Sequence, residues 1–137
     1  MNIINYGGKV PSRKHDDDIG ADVYALKDYT FGPHETICVP LGIGVELPKG
    51  CGGFVLPRSS MGKRGVSAQA IPVDPNYRGE IHAIVTNYTD EVQVVHAGDR
   101  IAQLVVIPCI IDTMVMIEPE EASVTDRGTA GFGSTGV

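Results

Sequence analysis

The chain predicts an all-β fold, a jelly-roll-like β-sandwich or barrel with at most one short helix. Two observations point there. Seventeen Gly and nine Pro among 137 residues punctuate the chain every few positions, too often for long helices. Between them lie apolar, β-branched runs of four to eight residues at short, regular spacing, as in sandwiches and jelly rolls.

In chain order, the loop Lys14 to Gly20 introduces a first strand over Ala21 to Leu26. Glu35 to Val39 and Gly42 to Leu47 follow, broken by Pro40 and Gly44. Pro48-Lys49-Gly50 makes a turn, and Gly53 to Leu56 a further strand. Only Ser59 to Arg64 can make a helical turn, with a serine as N-cap and with Gly62 and Gly65 keeping it short. Ile71 to Val73 and Ile81 flank Asp74-Pro75-Asn76-Tyr77-Arg78-Gly79, a turn-forming run that predicts a hairpin-like turn. Ile81 to Asn87, Glu91 to Val95 and Arg100 to Ile107 are strands, the last two separated by the turn Ala97-Gly98-Asp99. Ile110 to Ile117 is expected to be a last core segment. From Glu118 the composition turns acidic, small and Gly-rich, so residues 118–137 are expected to form a mobile arm on one domain spanning 1–137.

A net charge of −6 argues against a general nucleic-acid surface, though not against one compact anion held by a few arginines. Cys38, Cys51 and Cys109 are widely separated with no Cys-x-x-Cys pair, and read as small buried hydrophobes. His15 beside Asp16-Asp17-Asp18 reads as a solvated acidic loop, because no second ligand group sits at a useful spacing. No apolar run is long enough to span a bilayer and no signal peptide is visible, which sets a cytoplasmic protein (host cytoplasm if viral) as the expectation.

Five stretches carry candidate chemistry. The Asp74 to Gly79 turn brings a carboxylate, a phenol and a guanidinium within five residues; alone it is equally a solvated surface turn. Pro57-Arg58-Ser59-Ser60 puts an arginine and hydroxyls where a strand runs into a capped turn, which suits a phosphate. In Gly98-Asp99-Arg100-Ile101-Ala102-Gln103, Asp99 and Arg100 are expected to pair and fix the turn, while the Gln103 amide needs partners. Gly20-Ala21-Asp22-Val23-Tyr24 adds a carboxylate at a strand start. In the tail, Arg127, Phe132, Gly133, Ser134 and Thr135 combine a cation, hydroxyls, Gly-rich N–H groups and a ring that can stack on a base.

Together these stretches, in this order, resemble the five motifs of the homotrimeric dUTPase family over nearly the whole chain from Gly20. The resemblance implies a β-clip trimer that hydrolyses dUTP to dUMP and pyrophosphate with Mg²⁺, at sites between subunits closed by a lent C-terminal tail. It implies Asp74 as the group that orients and deprotonates the attacking water, and Tyr77 as the platform under the deoxyribose. The backbone from Ile71 through Val73 to Asp74 would read the uracil. Arg58, Ser59, Ser60 and Gln103 would hold phosphates, and Asp22 would reach Mg²⁺ through water. Arg127, Ser134 and Thr135 would bind the γ-phosphate while Phe132 and Gly133 cover the base.

The chain departs from the family pattern in the base-reading segment. Members usually carry Gly where Ile71 stands and often an acidic residue where Asn76 stands; the segment is a few residues short, and Pro72 removes a backbone donor. Two rivals follow. A dCTP deaminase of the same fold would need a glutamate on the strand Ile81 to Asn87, where Ile84 stands, and an arginine where Lys63 stands. A nucleotide-binding regulatory module would have lost catalysis, against the intact Asp74, Tyr77 and tail.

Overall fold

The computed structural model describes residues 1–133. Eleven strands, all paired antiparallel, fall among them: β1 Asn2–Asn5, β2 Ala21–Tyr24, β3 Tyr29–Phe31, β4 Thr36–Pro40, β5 Ile43–Glu46, β6 Cys51–Leu56, β7 Val66–Ala68, β8 Ile71–Val73, β9 His82–Asn87, β10 Gln93–Val95 and β11 Arg100–Pro108. One helix, α1 Ser59–Lys63, and a 3-10 turn at Pro119–Glu121 complete the regular structure.

The strands form a four-stranded sheet ordered β2-β11-β6-β8, a three-stranded sheet ordered β4-β9-β7, and the pairs β1-β5 and β10-β3. Val23, Val55 and Leu104 from the first sheet share one apolar core with Val39, Ala83 and Val85 from the second. That is the jelly-roll-like sandwich expected. The period-2 alternation is clear in β9, where Ala83 and Val85 are buried and His82 faces out. Asn87 is a fully buried amide that the core tolerates because it is satisfied: Nδ2 donates to the Gly32 and Glu91 carbonyls at 2.8 and 2.7 Å, and Oδ1 accepts from Thr89. No helix of the described residues is long and apolar enough to cross a membrane.

Several expectations need correction. The run Asp74 to Gly79 does not close a hairpin, because β8 pairs with β6 in one sheet and β9 with β4 and β7 in the other. It is a crossover between sheets, opened by a β-turn in which the Tyr77 N–H donates to the Asp74 carbonyl at 3.1 Å. A local turn signal cannot tell whether the strands on either side pair with each other. The helix begins one residue earlier than a cap at Ser59 requires. Arg58 is the N-cap, with extended backbone and no side-chain cap bond, and Ser59 is the first helical residue.

Ile110 to Ile117 is not core in this chain. Pro108 ends β11, and beyond it Ile110 and Met114 are 95% and 98% exposed. The three cysteines are free but none is buried: Cys38 is exposed, and Cys51 and Cys109 are half-buried. Short β1, β3 and β7 escape a reading by apolar runs, since three or four residues give too little pattern.

Candidate functional site

Two clefts collect the candidate residues, and they share none. The first, about 460 Å³, is lined by Asp22, Arg58, Ser59, Arg100 and Gln103, with Lys14, Asp17 and Asp18 of the acidic loop at its edge. The second, about 420 Å³ and largely apolar, is lined by Ile71, Val73, Asp74 and Tyr77, together with Glu80, His82 and Ile84.

Sheet register builds the first cleft. Gln103 of β11 stands opposite both Asp22 of β2 and Leu56 of β6, so one row across three strands ends beside Arg58. The Arg58 Nε donates to Asp22 Oδ1 at 2.6 Å, and Arg100 Nη1 donates to Asp22 Oδ2 at 3.4 Å. Asp22 is thus clamped by two guanidinium groups. Arg58 Nη1 also donates to Ser60 Oγ at 3.0 Å and to the Arg100 carbonyl at 3.2 Å. A guanidinium has five N–H donors. Those contacts leave the Nη2 group of Arg58 without a bond among the described residues.

Gln103 has the partner its position demanded: its Nε2 donates to the Pro57 carbonyl at 2.9 Å. Its side chain passes close to Gly20, where a Cβ would collide with Gln103 Oε1 unless the amide moved. The glycine at position 20 is there for close approach.

Arg100 does not pair with Asp99. The Asp99 carboxylate instead accepts the His96 N–H at 2.9 Å and closes its own turn, releasing Arg100 to Asp22. Strict alternation puts Arg100 and Gln103 on opposite faces of β11. A bulge between Arg100 and Ala102 restores both to the cleft, and no local sequence signal announces it. The lining by Lys14, Asp17 and Asp18 is likewise visible only in three dimensions.

In the second cleft Asp74 is exposed, Ile71 half-buried and Val73 buried. The Tyr77 hydroxyl donates to the Glu80 carbonyl at 2.9 Å. Glu80 Oε1 accepts the Gly42 N–H at 2.8 Å, tying the loop to the start of β5. Glu80, His82 and Cys38 join Ile84, the position where a deaminase would need its glutamate, in lining this cleft. Glu80 comes with the end of the loop, while His82 and Ile84 of β9 and Cys38 of β4 are brought there by strand pairing.

Asp22 and Asp74 stand at opposite edges of the four-stranded sheet. Three strand spacings separate β2 from β8, roughly 14 Å at about 4.8 Å each.

The tail is described as far as Gly133. Arg127 Nε donates to the Ala130 carbonyl at 2.8 Å and lines neither cleft. Phe132 is fully exposed, with φ +49°. Ser134 and Thr135 lie outside the described residues.

The donor chemistry accommodates Mg²⁺ of one kind only. Among the described residues no group of three or more His, Cys, Asp or Glu could hold a metal ion, so a caged ion does not fit. An ion held mainly by phosphate oxygens and water does fit, because the Asp22 carboxylate lines the first cleft and keeps lone pairs for a water.

Comparison with known proteins agrees in sequence and in fold. The dUTPase family profile matches residues 7–136. A deoxyuridine 5'-triphosphate nucleotidohydrolase of Picosynechococcus sp. is 40% identical over 131 residues, covering 93% of this chain and 90% of its own. One from Cutibacterium acnes is 44% identical over 126 residues, covering 88% and 80%. Among solved structures, the dUTPase of Staphylococcus bacteriophage 80alpha with dUpNHpp superposes with a TM-score of 0.90 at 23% identity, covering 99% of this chain and 98% of that one. A dUTPase mutant of phage phi11 of S. aureus, reported with a structural Mg(II) ion, gives 0.82 at 18% identity over 88% and 98%.

Proposed function

Because this chain belongs to the dUTPase family, we infer that it hydrolyses dUTP to dUMP and pyrophosphate, limiting uracil in DNA and supplying dUMP. The observation that carries the reading is that residues of four of the five motifs line two clefts of complementary chemistry. One offers the N–H donors of Arg58, Arg100 and Gln103 for phosphates, and the other is largely apolar, with the exposed Asp74 carboxylate at its mouth and Glu80 tied to the Gly42 N–H.

Water, oriented by Asp74, attacks the α-phosphorus and gives its proton to the Asp74 carboxylate. The bond from the α-phosphorus to the bridging oxygen breaks, and pyrophosphate leaves with the electron pair. A positioned base contributes about 10²- to 10⁴-fold, and the remainder is positioning and charge stabilisation. Arg58, through its free Nη2 group, Ser59, Ser60 and Gln103 hold the phosphate chain; Arg127, Ser134 and Thr135 take the γ-phosphate. Tyr77 lies under the deoxyribose, Ile71 to Asp74 read the uracil, and Phe132 with Gly133 covers it. Asp22 would reach, through water, a Mg²⁺ held mainly by the substrate phosphates, and the ion would supply charge neutralisation.

The assembly in this reading is a homotrimer with shared sites, the phosphate cleft of one subunit facing the Asp74 cleft of another. The roughly 14 Å between sheet edges supports it. So does the exposed apolar run Ile110 to Ile117, which a neighbouring subunit would cover. Residues 118–137 then act as the arm that closes a site. Deamination is not favoured: Ile84, half-buried in the second cleft, stands where that chemistry needs a carboxylate.

The test compares pyrophosphate release from dUTP, dTTP, dCTP and UTP with Mg²⁺, for the natural chain and for Asp74→Asn. Release from dUTP alone, lost in the variant while dUpNHpp still binds, is the expected result. Equal rates on dTTP would sink the uracil reading, and ammonia from dCTP would install the deaminase.

A further inference from the structure

The loop that carries Asp74 and Tyr77 is braced from behind by the N-terminal strand, a segment outside all five motifs. The Tyr6 hydroxyl donates to the Arg78 carbonyl at 2.8 Å across 72 positions of sequence. The Tyr6 N–H donates to the Gly42 carbonyl at 2.9 Å, and β1 pairs with β5 from Asn5↔Ile43 to Asn2↔Glu46. The tyrosine backbone is therefore fixed to the sheet while its hydroxyl reaches the loop.

Its path needs Gly44. A Cβ there would stand 3.0 Å from Tyr6 Cε2 and 2.8 Å from the Gly79 carbonyl oxygen, so a side chain would push both the ring and the loop away. The same strand pair holds the other end of Arg78. Asn2 Nδ2 donates to Glu46 Oε2 at 2.7 Å, and Glu46 Oε1 lies 3.7 Å from Arg78 Nε. Arg78 in turn folds the loop upon itself, its Nη1 donating to the Pro75 and Tyr77 carbonyls at 2.8 and 3.1 Å. Tyr77 N–H then closes on the Asp74 carbonyl.

We propose that Tyr6 is a positioning residue for hydrolysis, holding the Asp74–Gly79 loop through the Arg78 carbonyl so that the Asp74 carboxylate and the Tyr77 ring keep their mutual placement. This rests on the reading of Asp74 as the base that activates water. The loop needs such a brace because it crosses between sheets and has no partner strand of its own. Tyr6 is about half exposed, so losing its hydroxyl opens no cavity in the core.

Steady-state dUTP hydrolysis and thermal melting are measured for the full chain, Tyr6→Phe, Gly44→Ala, and Tyr88→Phe as an exposed tyrosine that lines neither cleft. Tyr6→Phe should lower kcat about three- to tenfold, the scale of one lost hydrogen bond, with KM within about twofold and melting within about 2 °C of the natural chain. Tyr88→Phe should match the natural chain in all three. Gly44→Ala should repeat the loss in kcat, and adding Tyr6→Phe to it should cost little more, since both act on one contact. An unchanged kcat in Tyr6→Phe, a change confined to KM, or a loss that tracks a lower melting temperature overturns the proposal. If the natural chain releases no pyrophosphate from dUTP, the functional reading has failed instead.

Discussion

Arg58 Nε and Asp22 Oδ1 lie 2.6 Å apart, and their side chains are only 18% and 17% exposed. With Arg100 on the other carboxylate oxygen, Asp22 is the anion that orients both arginines of the first cleft. Two arginines packed side by side without that carboxylate would repel each other and swing towards solvent. Asp22→Asn should therefore lose about 1–3 kcal/mol of stability in urea unfolding, and dUTP turnover should fall with it. A variant as stable as the natural chain would mean that the clamp is idle.

Gly20 and Gln103 form a second contact that a substitution can test. Gly20→Ala pushes on the far end of the Gln103 side chain, which can swing away, so the expected loss is that of its bond to the Pro57 carbonyl, about 1 kcal/mol. The expected kinetic effect is a raised KM for dUTP. In Gly20→Ala combined with Gln103→Ala the collision is gone, so the double variant should be more stable than the sum of the single losses implies. Strict additivity in thermal melts would show that the close approach does not matter.

Sites shared between subunits, as proposed, make a quantitative demand on mixed subunits. Asp74→Asn and Arg58→Ala chains, each inactive alone, are unfolded together in equal amounts and refolded. If Asp74 and Arg58 of one site come from different subunits, random mixing restores about one quarter of the natural activity. Recovery near zero would place both residues of a site in one chain.

Tyr29 carries a buried hydroxyl with no hydrogen-bond partner among the described residues. Burial pushes its phenol pKa up from the ordinary value near 10, and the Glu80 carboxylate adds to the shift. A raised folded pKa favours the folded state fully below the unfolded pKa, and that preference is lost as pH rises through the folded value. Stability should thus fall on the alkaline side of about pH 10. Tyr29→Phe should lack this component and match or exceed the natural chain by up to about 1 kcal/mol at neutral pH, since it removes an unsatisfied hydroxyl. Urea midpoints measured from pH 7 to 11 check both.

Much of this protein is legible in its residues because the relevant physics is local. Gly and Pro spacing excludes long helices, β-branched runs of the right length make strands, and Asp-Pro-Asn-Tyr-Arg-Gly makes a turn whatever surrounds it. The same locality explains the family motifs, each a short run whose backbone and side chains act together. What local pattern does not carry is pairing between distant segments. The turn after Val73 proved to join two sheets, Ile110 to Ile117 proved to lie outside the core, and Arg100 chose Asp22 over its neighbour Asp99. Each of these depends on strand register, and a single bulge or a change of partner strand rotates a side chain to the other face without altering any local preference. The residue types at the two clefts were thus set by the sequence itself. Their division between opposite edges of one sheet, and the N-terminal tyrosine behind the Asp74 loop, were decided only when 72 and more positions of chain were folded back into contact.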